Sequence, residues 1–239
     1  MKFDDTLQEG RLERRYKRFL ADVTLMTGET VVAHCANSGA MAGVVDPGNR
    51  VWLLPNRNPK AKLDWRWELV EAEGTLIGIN TSRPNALAEE AVAADLIDGL
   101  TGYDRIRREV RYGRNSRIDL LLERGAADTP SETCFVEVKN VHWRMDGGAI
   151  FPDAVTVRGA KHLDELVAMV HAGHRAVMLY VIQRADCGWF APAWKKDPVY
   201  AEKLVWAAGE GVELMAYACD VSLEGIAIAQ PLPISLTAP

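Results

Sequence analysis

Asp119 and the triplet Glu137-Val138-Lys139 are the residues whose types and spacing most directly suggest chemistry. They fall in two segments that read as β-strands, Arg117 to Glu123 and Thr133 to Asn140. Side chains alternate along a strand, so Phe135, Glu137 and Lys139 project together while Cys134, Val136 and Val138 project oppositely. On the preceding strand Ile118, Leu120 and Leu122 share a face, which leaves Asp119 beside Arg117 and Leu121. If the strands are neighbours, the two carboxylates converge. Convergent carboxylates supply hard oxygen ligands for Mg2+ or Mn2+, and an adjacent lysine can neutralise phosphate charge or position an attacking water. Such residues suit phosphodiester hydrolysis, with Asp119, Glu137 and Lys139 catalytic. Removing Glu137 is expected to leave the fold stable, because paired carboxylates repel when no metal is bound.

The helix ahead of these strands offers a third carboxylate. Leu87, Glu90, Ala91, Ala94 and Ile97 recur at spacings of three and four, which turns Glu90 inward and Glu89 toward solvent. Glu90 is therefore expected to join Asp119 and Glu137 as a metal ligand. Arg105, Arg107, Arg108, Arg111, Arg114 and Arg117 stand against one acid, Glu109, and alternation puts Arg105, Arg107, Glu109 and Arg111 on one strand face. A basic stripe leading into the Asp119 strand suits phosphate contacts, so Arg105, Arg107, Arg111, Arg114 and Arg117 are read as nucleic-acid-binding. An exposed face balancing nearby acids is the plainer alternative. A lone Glu-x-Lys is also usually a solvated strand face. Here, helices predicted on both sides should cover the sheet, and buried charges need partners or a metal.

The elements that must position these residues are legible in outline. Strand signals at Arg15 to Met26, Thr30 to Cys35, Arg50 to Leu54, Trp65 to Glu71 and Thr75 to Ile79 are separated by turn formers and suggest a small OB-like barrel. Thr81 to Asn85 interrupts that pattern and sets the expected boundary between residues 1–82 and 83–239. Beyond it come a helix from Asn85 to Gly99, strands Arg105 to Tyr112, Arg117 to Glu123 and Thr133 to Asn140, a helix from Val157 to Ala172, and the apolar strand Ala176 to Ile182. Asp197-Pro198 opens a further helix, followed by two last strands. The fold class is an α/β (α+β) mixed sheet behind an all-β barrel.

Bulk properties narrow the partners. The net charge of −5 argues against a generally basic coat, and residues 1–82 hold as many basic as acidic side chains. Cys35, Cys134, Cys187 and Cys219 are far apart without a Cys-x-x-Cys pair, so neither a disulfide framework nor a zinc site is expected. No apolar run approaches the roughly 20 residues that span a bilayer, and no signal-peptide stretch follows Met1, so a cytoplasmic protein without a membrane partner is expected. His34 and Cys35 lack a placed acid partner and read as structural. Trp52, Trp65 and Trp67 read as core before base-stacking surface.

The order helix Glu, strand Asp, strand Glu-x-Lys, helix, strand resembles the PD-(D/E)xK nuclease superfamily. Ile118 stands where that pattern has proline, and Pro152-Asp153 follows Glu137-x-Lys139 where it should precede it. A narrower resemblance rests on His34-Cys35-Ala36-Asn37-Ser38-Gly39-Ala40-Met41, Gly113-Arg114-Asn115-Ser116-Arg117-Ile118-Asp119, Val136-Glu137-Val138-Lys139-Asn140 and Phe151-Pro152-Asp153-Ala154-Val155-Thr156-Val157-Arg158-Gly159-Ala160-Lys161-His162-Leu163. In this order they resemble the hallmark segments of the sugar fermentation stimulation protein A family. That resemblance implies an OB-like domain, a nuclease-like domain, and DNA binding linked to sugar-utilisation genes. It also moves Arg158 and Lys161 from an ordinary polar helix face toward substrate contact and leaves His162 open. The resulting reading is a DNA-binding protein with a metal-dependent nuclease core and little sequence specificity; a homodimer is left open. The alternative is a regulatory DNA-binding protein whose nuclease fold is idle. A phosphatase or nucleotide hydrolase has only the metal site in its favour.

Overall fold

The structure, a computed structural model, describes residues 1–113 and 116–238. Strands β1 (Gln8–Tyr16), β2 (Leu20–Leu25), β3 (Thr30–Cys35), β4 (Arg50–Pro55), β5 (Trp65–Ala72) and β6 (Thr75–Gly78) lie in the order β3-β2-β1-β4-β5-β6. A parallel pairing of β3 with β5 closes the first five into an OB-like barrel, and β6 extends it from β5. Leu12, Val23, Leu53, Trp67 and Ile77 fill the interior. The sequence reading merged two elements here: Arg15 to Met26 is the end of β1, a turn and β2. Lys17 and Arg18 break the strand with φ of 49° and 64°. Most of β1 carries no apolar alternation, because only Gly10 and Leu12 turn inward. Gly10 is glycine because a Cβ would come within 2.5 Å of Val23 Cγ1.

The rest of the chain forms a mixed sheet. Its elements are α1 (Pro84–Ala93), β7 (Arg105–Tyr112), β8 (Ser116–Gly125), β9 (Pro130–Val141), β10 (Arg144–Met145), β11 (Gly148–Phe151), α2 (Val157–His171), β12 (Arg175–Ile182), β13 (Trp189–Pro192), α3 (Pro198–Gly209), β14 (Glu213–Val221) and β15 (Ile226–Pro231). The main sheet runs β15-β14-β12-β9-β8-β7, with β9, β12 and β14 parallel, and β10-β11-β13 form a small side sheet. Central β12 is buried at every position after Arg175, which is why it reads as one apolar run. Leu163 and Leu166 of α2 and Leu204 of α3 pack on one face; Leu87 and Ala91 of α1 pack on the other.

Helix α1 departs from expectation at both ends. It opens with Pro84 in its first turn and no side-chain cap, and it stops at Ala93 well short of Gly99. Asp95 then turns the chain with φ of 54°. The cap of α3 is where the sequence put it, with Asp197 accepting the Tyr200 N–H at 3.1 Å. Barrel and sheet are tied by polar contacts: Gly78 N–H donates to the Gln183 carbonyl at 2.8 Å, and Met41 N–H to Asp153 Oδ2 at 2.7 Å. Cys35, Cys134, Cys187 and Cys219 are buried and unpaired. Among the described residues no helix is long and apolar enough to cross a membrane.

Candidate active site

Strands β7 and β8 pair from Arg105↔Glu123 to Arg108↔Leu120 and again from Val110↔Ile118. Between these stretches Glu109 faces Asp119, and Glu109 takes a left-handed backbone with φ of 53°. The pleat changes sides there. Ile106 and Leu120 pack with α1, whereas Val110, Tyr112 and Ile118 pack with α2 and α3. The expected sharing of one face by Ile118, Leu120 and Leu122 therefore fails, as does the single arginine face from Arg105 to Arg111. Such an interruption re-aims the side chain at the break, here the Asp119 carboxylate.

Pairing of β8 with β9 runs to Leu120↔Val136. One step further, Asp119 Oδ2 accepts the Val138 N–H at 2.8 Å, and Asp119 Oδ1 accepts from Asn85 Nδ2 at 2.7 Å. Glu137, only 2% exposed, points to the α2 side. Its Oε1 accepts from Lys139 Nζ at 2.6 Å and contacts His162 Nδ1; Oε2 is buried without a partner among the described residues. Arg158 Nε donates to His162 Nε2 at 3.2 Å, while His162 Nδ1 lies between Glu137 Oε1 and Lys139 Nζ, 3.0 Å from the latter. Burial and then the Glu137 charge push Asp119 above the ordinary carboxylate range, only partly offset by the Val138 N–H. Burial also pushes Glu137 up, but His162 and Lys139 more than offset it and hold Glu137 low. Glu137 is held by His162 and by partly buried Lys139, so, against the expectation from carboxylate repulsion alone, its loss would strand Lys139.

Above this cluster opens a cleft of about 390 Å³ lined by Asp119, His162, Arg117, Arg158, Lys161 and Glu109 among others. Glu137 and Lys139 lie behind it, with side chains 3% and 14% exposed. Lys161 reaches Glu165 at 3.4 Å, the intrahelical pair of an ordinary helix face. Arg158 instead reaches the buried cluster through His162.

Glu90 does not face this site. Its side chain is 58% exposed and binds the Met1 ammonium at 2.9 Å, while Glu89 pairs with Arg108 at 3.4 Å. The helix instead supplies Asn85, in its first turn, to Asp119. Among the described residues no group of three or more His, Cys, Asp or Glu side chains is arranged to hold a metal ion. Arg105 and Arg107 are drawn off to Glu123 at 3.4 and 3.6 Å, and Arg111 is exposed opposite Arg117. Arg114 lies outside the described residues. The sequence reading missed Asn85 and Tyr112; burial and then the Glu137 charge push the pKa of Tyr112 up. His162 was visible only as one turn beyond Arg158.

The fold and this cluster define a two-part protein, an OB-like barrel followed by a mixed sheet that buries an Asp, Glu, Lys and His constellation. The chain belongs to the sugar fermentation stimulation protein family. The family model described as "Sugar fermentation stimulation protein RE domain" matches residues 82–225, and "SfsA N-terminal OB domain" matches residues 14–79. A sugar fermentation stimulation protein homolog of Maricaulis maris is 58% identical over 238 residues, covering 99% of this chain and 100% of its own. One from Nitrosococcus oceani is 53% identical over 238 residues, with the same coverages. The solved structure of Pyrococcus furiosus SfsA in complex with Ca2+ superimposes with a TM-score of 0.87 at 28% identity, covering 98% of each chain.

Proposed function

We propose that this protein hydrolyses phosphodiester bonds of DNA with a divalent cation, acting in the cytoplasm and reading DNA through its phosphates with little sequence preference. The observation that carries this reading is the break at Asp119, which brings that carboxylate beside the β9 strand bearing Glu137 and Lys139, under a cleft lined by Arg117, Arg158 and Lys161.

The donor set fits a hard, hydrated cation. Mg2+ commonly keeps several waters and takes one or two carboxylates from a protein, so Asp119 and the unpartnered Oε2 of Glu137 suffice. That Pyrococcus furiosus SfsA is described in complex with Ca2+ supports a divalent ion here too. Bound Mg2+ or Mn2+ would acidify a water and neutralise phosphate charge. Lys139 offers a fixed positive charge behind the carboxylates, and His162, oriented by Arg158, holds the Glu137 carboxylate in place. Arg117 and Arg158, which line the cleft, would clamp the phosphate, where removal from water strengthens their pull.

The idle-core alternative has one observation in its favour: Lys139 and His162 both occupy Oε1 of Glu137, closing the cluster without metal. A plasmid-nicking assay in Mg2+ or Mn2+, beside a gel shift in EDTA, separates the readings. Nicking by wild type, lost in Asp119→Asn and Glu137→Ala with DNA binding retained, is the expected result. Inactivity of wild type in every metal, with DNA still bound, would establish the regulatory reading instead.

A further inference from the structure

Apart from the Asp119 cleft, the side sheet β10-β11-β13 and the C-terminal segment enclose a cavity of about 560 Å³, a volume typical of small-ligand sites. Trp143, Trp189 and Trp194 line it, and Lys195 and Lys196 stand exposed on its wall.

The tryptophan at its centre is seated deliberately. β11 and β13 run parallel with Gly148 opposite Trp189. A Cβ on Gly148 would lie 2.4, 2.4 and 2.5 Å from three carbons of the six-membered indole ring, so the β11 backbone covers a ring face and not an edge. Only glycine allows that approach. The indole is thereby fixed against backbone, and it also lines the cavity. Trp143 and Trp194 add further indole rings to the lining. Rigid aromatic rings and two adjacent ammonium groups, against Asp146 as the single carboxylate among the described lining residues, match a planar heteroaromatic ring that carries an anion.

We propose that this cavity takes an unpaired nucleobase of a nucleic-acid strand, stacked on Trp189, with its phosphate against Lys195 and Lys196. This rests on the reading of the chain as a DNA phosphodiesterase and assigns it a place to hold a splayed base.

The test uses the full-length protein in EDTA, with a labelled short oligothymidylate followed by anisotropy. Trp189→Ala should weaken binding by about tenfold or more, the usual effect of removing one stacking partner. Trp189→Phe, which keeps a ring on Gly148, should bind within a few-fold of wild type. The pair Lys195→Ala/Lys196→Ala, which alters exposed side chains only, should weaken binding and flatten its salt dependence. An indole N–H resonance lost in Trp189→Phe should shift in wild type when the oligomer is added. Competition by thymidine monophosphate as strong as by the oligomer would support the same chemistry with a free nucleotide as its source. Equal affinity for an abasic oligomer of the same length, or wild-type binding by both Trp189 variants, would overturn the proposal. Lost base binding with intact nicking removes this cavity alone; lost nicking with intact base binding removes the hydrolytic reading alone.

Discussion

Glu109 and Asp119 face each other across β7 and β8, flanked by the made pairs Arg108↔Leu120 and Val110↔Ile118 but unpaired themselves. On either side of this break the strands bury opposite faces, so Asp119 is free to turn its carboxylate to the Val138 N–H. The strain is carried by Glu109, a non-glycine residue at φ of 53°.

Substitutions at Glu109 should read that strain. Glycine accepts a positive φ without penalty, whereas a β-branched side chain does not. Glu109→Val should therefore be less stable than Glu109→Gly by about 1–2 kcal/mol in urea denaturation. It should also lose nicking more than Glu109→Gly does, since straightening β7 mis-aims Asp119. Equal stability of the two variants would show that the left-handed turn is not held in solution.

The Glu137–Lys139 pair joins a buried carboxylate to a largely covered ammonium at 2.6 Å. Breaking a buried pair by removing one partner costs about 3–5 kcal/mol, because the other charge is left unpaired. Glu137→Ala should lose stability on that order without metal, Lys139→Ala should lose less because His162 still holds the Glu137 carboxylate, and the double variant should lose clearly less than the sum of the two. Additive losses in a double-mutant cycle would show that the two groups do not act as a pair.

What was legible in the sequence follows from what alternation can and cannot carry. Glu137 and Lys139 share a face of β9 because that strand is regular from Phe135 through Val141, so counting by two suffices. The same counting failed along the arginine stripe, since nothing in a glutamate announces the left-handed turn at Glu109. Glu90 was misread for a related reason. Helical phase is known only relative to a start, and α1 begins at Pro84 without a cap, while Met1 folds back to claim Glu90. The side sheet escaped notice because β10, β11 and β13 are two to four residues long, too short for periodicity.

Asn85 donates to Asp119 at 2.7 Å, which makes it a position where one atom decides the response to metal. Asn85→Asp would set a carboxylate against one already pushed up by burial and by Glu137. Without metal this variant should be less stable by about 1–3 kcal/mol, the cost of replacing a donor by a repelling acceptor. Added Mn2+ should raise its melting temperature more than that of wild type, because a third oxygen ligand is now available. A smaller metal-induced rise than in wild type would place Asn85 away from any cation.

Asp153 links barrel to sheet. Burial pushes its pKa up, but His142 and the Met41 N–H more than offset this and hold it below the ordinary 3.8. A depressed carboxylate stabilises the fold fully above its unfolded value and loses that contribution as pH falls through its folded value. The stability difference between wild type and Asp153→Asn should therefore be largest near neutral pH, about 1–3 kcal/mol, and shrink below about pH 4. Urea midpoints measured across pH check this, and a difference that grew on acidification would have the wrong sign.

The basic side chains divide into those already satisfied and those turned to the cleft, and DNA binding should follow that division. Arg105 and Arg107 share Glu123 as a partner at 3.4 and 3.6 Å, so phosphate would have to compete with a fixed carboxylate. Arg117 and Arg158 line the cleft above Asp119 without a carboxylate partner among the described residues, whereas Lys161, also in its lining, pairs with Glu165 at 3.4 Å. In EDTA, affinity for DNA should fall steeply with salt, because each neutralised phosphate releases counterions. Removing one phosphate contact should lower the salt slope by about one, so Arg117→Ala/Arg158→Ala should flatten it by about two. Arg105→Ala/Arg107→Ala should change it far less. The comparison is made by titrating one labelled duplex at several salt concentrations, with a thermal melt on each variant. Flat binding between low and physiological salt in wild type would remove phosphate contact as the source of affinity. A larger loss from the Arg105 and Arg107 pair would move the contact surface from the cleft to the outer edge of β7.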